Sequence, residues 1–151
     1  MKIKEEINRL PFKNETQKAA LNILFTSNWI SSQYQKFFNP YGITSQQYHV
    51  LSVLRITHPK TISTSEIKAR LHDRNSDASR IVDRLTSKGY VKKSVCSEDR
   101  RLVDVSLTEN GFQLLHEVDR NIDIMNDFSG NLNEREAQTL NELLDKLRSA
   151  C

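Results

Sequence analysis

Asp73-Arg-Asn-Ser-Asp-Ala-Ser-Arg-Ile-Val-Asp-Arg-Leu-Thr-Ser-Lys-Gly-Tyr90, running on through Val91-Lys-Lys-Ser-Val95 to Cys96-Ser-Glu-Asp-Arg-Arg-Leu-Val-Asp-Val-Ser-Leu-Thr-Glu-Asn-Gly111, sets a polar-tipped amphipathic helix directly before a basic hairpin. Ala78, Ile81, Val82 and Leu85 recur at i, i+3, i+4 and i+7, so one apolar stripe faces a core and the opposite side stays free. Asn75 or Ser76 is placed to cap the first amides, and Gly89 ends the helix. On the free side lie Ser76, Asp77, Ser79, Arg80 and Arg84. Hydroxyl and guanidinium groups of this kind bond phosphate oxygens and base edges when a helix enters a major groove. Taken alone, the same face fits an ordinary solvated helix equally well.

After Gly89 the period changes. Tyr90-Val91-Lys92-Lys93-Ser94-Val95 and Leu102-Val103-Asp104-Val105-Ser106-Leu107 are runs rich in β-branched residues, joined by Cys96-Ser97-Glu98-Asp99-Arg100-Arg101. The pattern predicts two short strands with a charged tip. Arg100 and Arg101 at that tip suit insertion into a minor groove, where a flat guanidinium gains from the negative potential. Asp99 would repel phosphate there, so it is read as orienting a neighbouring Arg through an ion pair. A solvated turn with a chance cluster of charges is the alternative for this stretch by itself. Helix then hairpin reads as a recognition helix followed by a wing, and DNA is the expected partner.

Ser79-Arg-Ile-Val-Asp-Arg-Leu85, Lys88-Gly89, Asp99-Arg-Arg101 and Leu107-Thr108-Glu-Asn-Gly111 together resemble the winged-helix signature of the MarR (multiple antibiotic resistance regulator) family. Gly42-Ile-Thr-Ser-Gln-Gln-Tyr-His-Val-Leu51 and Ser65-Glu-Ile67 are similar to it at lower specificity, and the outer helices match only in pattern. The resemblance implies a dimeric winged helix-turn-helix that binds pseudo-palindromic DNA and is released by a small ligand or by thiol oxidation. On it, Ser65, Asn75 and Lys93 join the residues above as expected DNA contacts.

The chain around the motif reads as helices. Ala20, Leu21, Leu24, Phe25, Ile30 and Phe37 run in a long mixed pattern from about Thr16 to Phe38, and Asn39-Pro40-Tyr41-Gly42 ends it. Thr44-Ser-Gln-Gln47 and Ser63-Thr-Ser-Glu66 are capping boxes, the second opening a short helix that pairs with the recognition helix. Downstream, Thr108 caps a helix with Leu114, Leu115, Val118, Ile122 and Met125 on one side and Gly130 near its end. Asn133 and Glu136 open a last helix bearing Ala137, Leu140, Leu143, Leu144 and Leu147. The expected architecture is therefore mainly α with a small β wing. A winged helix-turn-helix lobe spans about 44–107, flanked by dimerisation helices over about 1–40 and 108–151, in a single domain of 151 residues.

These outer helices carry more apolar face than a small winged-helix core requires, and a second copy is the simplest cover. A two-fold dimer would set two recognition helices roughly 34 to 36 Å apart. Completion of a monomeric helical core is the competing use of the same stripes. Charge agrees with the division. Lys and Arg number 11 against 7 Asp and Glu over residues 60–105, but 4 against 9 over 106–151, so the middle is the better DNA face. The modest excess implies affinity from a few placed contacts, doubled by a dimer.

Other chemistries find little support. His49, His58, His72 and His116 are scattered without ligand spacing, and no Gly-rich phosphate loop or acid–base grouping suggests an enzyme. No uninterrupted run of about 18 apolar residues and no signal-peptide core is present, so a cytoplasmic location is expected. Cys96 lies where the first wing strand meets the tip, where oxidation would disturb DNA contact, and Cys151 is terminal; no neighbouring residue pattern lowers either thiol pKa, so bystanders are the plainer reading of both. The family's peroxide sensors carry a reactive Cys near the N-terminus, and this chain has none there. Trp29, Tyr34, Tyr48 and His49 have two readings: core, or the wall of an effector cavity between the first helices and the lobe. The resemblance favours a small aromatic or anionic effector, and no cofactor is expected. A winged-helix module that docks a protein is the alternative function. RNA is disfavoured because no aromatic-rich stacking strand occurs.

Overall fold

The computed structural model describes residues 12–71, 77–95, 103–122 and 131–149. Asn14 opens the first helix, α1 (Glu15–Phe38), its side chain accepting from the Gln17 amide at 2.8 Å. A 3-10 turn over Asn39–Tyr41 ends at Gly42, whose φ of 68° carries the chain out of the helix direction. Thr44 then caps α2 (Ser45–Thr57). Its hydroxyl accepts from the Gln47 amide at 3.2 Å, and Gln47 Oε1 accepts from the Thr44 amide at 3.1 Å. There follow β1 (Ile62–Ser63), α3 (Thr64–Arg70), α4 (Ala78–Ser87), β2 (Val91–Val95), β3 (Val103–Leu107), α5 (Glu109–Asp119) and α6 (Glu134–Arg148). A mainly α chain with a small β sheet is what the periodicity predicts.

The sheet has three strands in the order β1-β3-β2, all antiparallel. Val91 faces Leu107 at one end of the hairpin and Val95 faces Val103 at the other. β1 adds a third strand that the sequence reading lacks, pairing Ile62 with Val105 and Ser63 with Asp104. Val105 is fully buried beneath it. The core lies between this sheet and the helices, with Val50 and Leu51 of α2, Ile67 of α3, Val82 and Leu85 of α4, and Leu115 and Val118 of α5 all at or near zero exposure. Arg55 Nη1 reaches Asp119 Oδ2 at 2.5 Å and ties α2 to α5.

Two expectations are corrected. The cap of α4 falls on Asp77, one residue beyond Ser76, because the Asp77 carboxylate accepts from the Arg80 amide at 3.1 Å. The helix begun at Thr108 stops at Asp119 instead of running unbroken through Ile122. Asn121 turns there, its amide bonding the Val118 carbonyl at 3.0 Å and its side chain donating to Tyr41 Oη at 2.9 Å and to the Glu117 carbonyl at 3.4 Å. Met125, Gly130 and Cys151 lie outside the described residues. Among the described residues no helix is long and apolar enough to cross a membrane.

The outer helices keep their apolar faces open. α1 buries only Phe38 among its 24 residues, and α6 buries none of its side chains. Leu24 is 62% exposed, and Leu143 59%.

α3 begins with a reciprocal cap. Ser63 Oγ accepts from the Glu66 amide at 3.2 Å, while Glu66 Oε2 accepts from the Ser63 amide at 2.8 Å and from its hydroxyl at 2.9 Å. The Ser63 amide, then the Ser63 hydroxyl, and last the Arg70 charge hold the Glu66 carboxyl below its ordinary value. A carboxyl lowered on folding stabilises the fold above its unfolded pKa, and that contribution disappears as pH falls through the folded value. Glu66→Gln keeps the cap and removes the titration. The melting temperature of the native protein should therefore fall toward that of the variant on acidification. Paired thermal melts from neutral to acid pH check this, and a constant gap contradicts it.

Candidate nucleic-acid interface

α3 and α4 form the helix pair, and α4 presents the exposed face. Ala78, Ile81, Val82 and Leu85 all turn into the core, so Ser79, Arg80, Asp83, Arg84 and Ser87 point outward by the geometry of a 3.6-residue turn. The helix ends in a tight left-handed turn. Gly89, at φ 75°, donates to the Thr86 carbonyl at 2.9 Å, and Tyr90 donates to the Leu85 carbonyl at 3.0 Å. Lys88 reaches away from this turn to the Gly42 carbonyl and to Gln47 Oε1, the latter at 3.4 Å, and so pins the end of α4 to the start of α2. Gln47 is itself buried, so the anchor is fixed on its protein side.

α5 grips the same turn from the other side. Thr108 donates its amide to the Tyr90 carbonyl at 3.1 Å and its hydroxyl to the Gly89 carbonyl at 2.6 Å. That hydroxyl also accepts from the Gly111 amide at 3.2 Å, closing the cap of α5. The run from Leu107 to Gly111 is therefore the joint between the end of α4 and the helices beyond it.

Beside α4 rises the hairpin. In β2 only Val91 is buried, and Lys92, Lys93, Ser94 and Val95 are exposed. Lys93 Nζ is ion-paired with Asp83 Oδ1 of α4, a link between wing and helix that the sequence reading did not contain. Arg80 keeps 80% of its side chain exposed, with Nε 3.6 Å from Asp77 Oδ2. Arg84 is exposed and has no carboxylate partner among the described residues. The result is a surface of Ser79, Arg80 and Arg84 on α4 with Lys93 of the adjoining strand tied to it, while Lys92, next in the strand, is exposed on the opposite face of the hairpin.

Of the residues expected to meet DNA, Asp77, Ser79, Arg80, Arg84 and Lys93 are brought together here, and Ser65 is exposed in the first turn of α3. Asn75, Ser76, Cys96, Asp99, Arg100 and Arg101 lie outside the described residues. Asp77 is engaged as the cap of α4, which accounts for an acid at this position. The aromatic set divides. Tyr48 is buried and stacks on Phe38 with centroids 4.8 Å apart, Tyr34 packs against the core, His49 is half-buried, and Trp29 is 39% exposed on α1. A surface cleft of about 400 Å³ lies elsewhere, along Phe112 and His116 of α5 and Arg120 at its C-terminal cap.

Residues 41–102 match the family model described as MarR family. The regulator PapX of Escherichia coli is 37% identical over 82 residues, 54% of this chain and 50% of PapX, so the chain spans about half the length of that relative. PecS of Dickeya dadantii, named as an HTH-type transcriptional regulator, is 30% identical over 114 residues, 74% of this chain and 69% of PecS. Among solved structures, a mutant MarR from E. coli complexed with operator DNA superposes with a TM-score of 0.79. It is 26% identical, and the match covers 91% of this chain and 99% of that one.

Proposed function

Because the chain belongs to the MarR family, we propose that it is a homodimeric transcriptional regulator, a ligand-responsive repressor that binds a pseudo-palindromic operator in the cytoplasm. In this reading α4 enters the major groove with Ser79, Arg80 and Arg84, Ser65 lies along the backbone, Lys93 stands at the base of the wing beside α4, and Arg100 or Arg101 of the wing enters the minor groove. The observation that carries it is the pairing of a buried stripe on α4 with an opposite face holding two exposed guanidiniums beside a basic strand. PapX and PecS, named as regulators, and the operator complex of the similar MarR support the same role. The lobe of about 44–107 reads DNA in this proposal. The helices on either side cover Leu24, Leu140, Leu143 and Leu147 against a second copy. A small effector held by the aromatic residues of α1 and α2 would bias the spacing of the two lobes.

Selection of bound fragments from a random duplex library, followed by titration of the enriched site across salt, tests this. The expected result is a two-fold symmetric site with half-sites about one turn apart and a steep salt slope. Weak, unselective binding by folded, effector-free protein would move the assignment to a winged-helix module that docks another protein.

A further inference from the structure

Asp83 sits between Arg80 and Arg84 on the exposed face of α4, with 61% of its side chain open, and its carboxylate holds Lys93 of β2. An acid on a surface built to meet phosphate is unfavourable unless it does something there. We propose that Asp83 is a specificity-determining positioning residue: it holds the Lys93 ammonium away from phosphate and fixes the base of the wing to the recognition helix. The inference rests on the DNA-binding reading above.

Three features lead there. The two partners come from different elements, ten residues apart, on either side of the Gly89 turn, so the pair bridges helix and wing instead of stabilising one helix. That turn is already fixed by Lys88 on one side and by Thr108 on the other, so the strand leaves it in a set direction and the ion pair has only the orientation of β2 left to fix. Finally, Lys93 is the more covered partner, at 36% side-chain exposure, and is occupied internally, whereas Lys92 beside it has no carboxylate partner among the described residues. A Lys free to swing onto phosphate adds sequence-independent affinity, because each neutralised phosphate releases counterions whatever the bases are. Tying it to Asp83 withholds that term, and the carboxylate adds repulsion toward a duplex that does not place Arg80 and Arg84 on their bases. Non-specific binding is weakened more than operator binding, and the ratio between them rises.

The test compares the native protein with Asp83→Asn, Lys93→Met and the double variant, on the selected operator and on a scrambled duplex of equal length, across a range of salt. Both side chains are exposed, so the variants should fold, and melting curves verify it. Asp83→Asn should tighten binding to the scrambled duplex roughly tenfold at low salt, with the salt slope steeper by about one per protomer. The ratio of operator to scrambled affinity should fall. Lys93→Met should change the slope little in the native background and flatten it by about one per protomer in the Asp83→Asn background. Equal flattening in both backgrounds would show that Lys93 already lies on phosphate and would overturn the proposal. So would an unchanged slope in Asp83→Asn while the native protein binds its operator normally. Failure of the native protein to bind either duplex would instead overturn the DNA-binding reading, and this inference with it.

Discussion

Gly111→Ala should lower stability by about 3 kcal/mol, the upper end of overpacking costs, and the melting temperature by roughly 6 to 12 °C. A methyl group at this position would stand 2.2 Å from the carbonyl oxygen of Tyr90 and 3.0 Å from Leu107 Cδ2. The obstacle is backbone, held in place because the same carbonyl accepts from the Thr108 amide, so no flexible side chain can swing aside. The prediction opposes local propensity. Gly111 lies in the first turn of α5, and its backbone is outside the left-handed region, so a helix considered alone would gain up to about 1 kcal/mol from alanine. Gly42 and Gly89 provide the contrast. Each has a positive φ but nothing within 4 Å of an added Cβ, so alanine there costs only backbone strain, about 1 to 2 kcal/mol. Thermal melts of the three variants should rank Gly111→Ala as the least stable. A melting temperature for it within a degree or two of the native protein would mean that α5 is not seated on the Gly89–Tyr90 turn.

The ranking of these glycines shows where sequence is informative and where it stops. Caps were legible because their chemistry is local: Thr44 with Gln47, Ser63 with Glu66 and Asn133 with Glu136 each close within three residues, and all three form. The stripe of α4 was legible for the same reason, since the period of a helix is written in consecutive residues. The start of α4 was not. Asn75, Ser76 and Asp77 all have capping side chains, and only the bond from the Arg80 amide to Asp77 selects among them. Strand β1 was invisible because Ile62 and Ser63 become a strand only by pairing with Val105 and Asp104, more than forty residues away. The seat of Gly111 on Tyr90 and the Asp83–Lys93 link also depend on how one element folds back on another, which no local pattern writes. Excess apolar surface on the first and last helices was legible as composition, and it remains open on α1 and α6.

Arg80→Ala should weaken operator binding by about 2 to 6 kcal/mol, or roughly 30-fold to twenty-thousandfold, since a bidentate arginine contact discriminates by about 1 to 3 kcal/mol and a two-fold dimer loses two of them. On the proposed DNA-binding reading, Arg80 is the base-reading residue of α4. It projects from the first turn, the end of a recognition helix that meets base edges, and four-fifths of its side chain is open. Asp77, fixed by its own bond to the Arg80 amide, stands 3.6 Å from Nε, and most of the guanidinium-bearing side chain stays open to solvent. Stability should stay within about 0.5 kcal/mol of the native value, because 80% of the side chain is exposed. Arg80→Lys should lose most of the same affinity despite keeping the charge, since an ammonium lacks the planar fork. The scrambled duplex separates base reading from phosphate contact. A loss confined to the operator marks Arg80 as a base reader. An equal loss on both duplexes, with rescue by Lys, would make it a phosphate contact and pass the reading role to Arg84 and Ser79 on the same face.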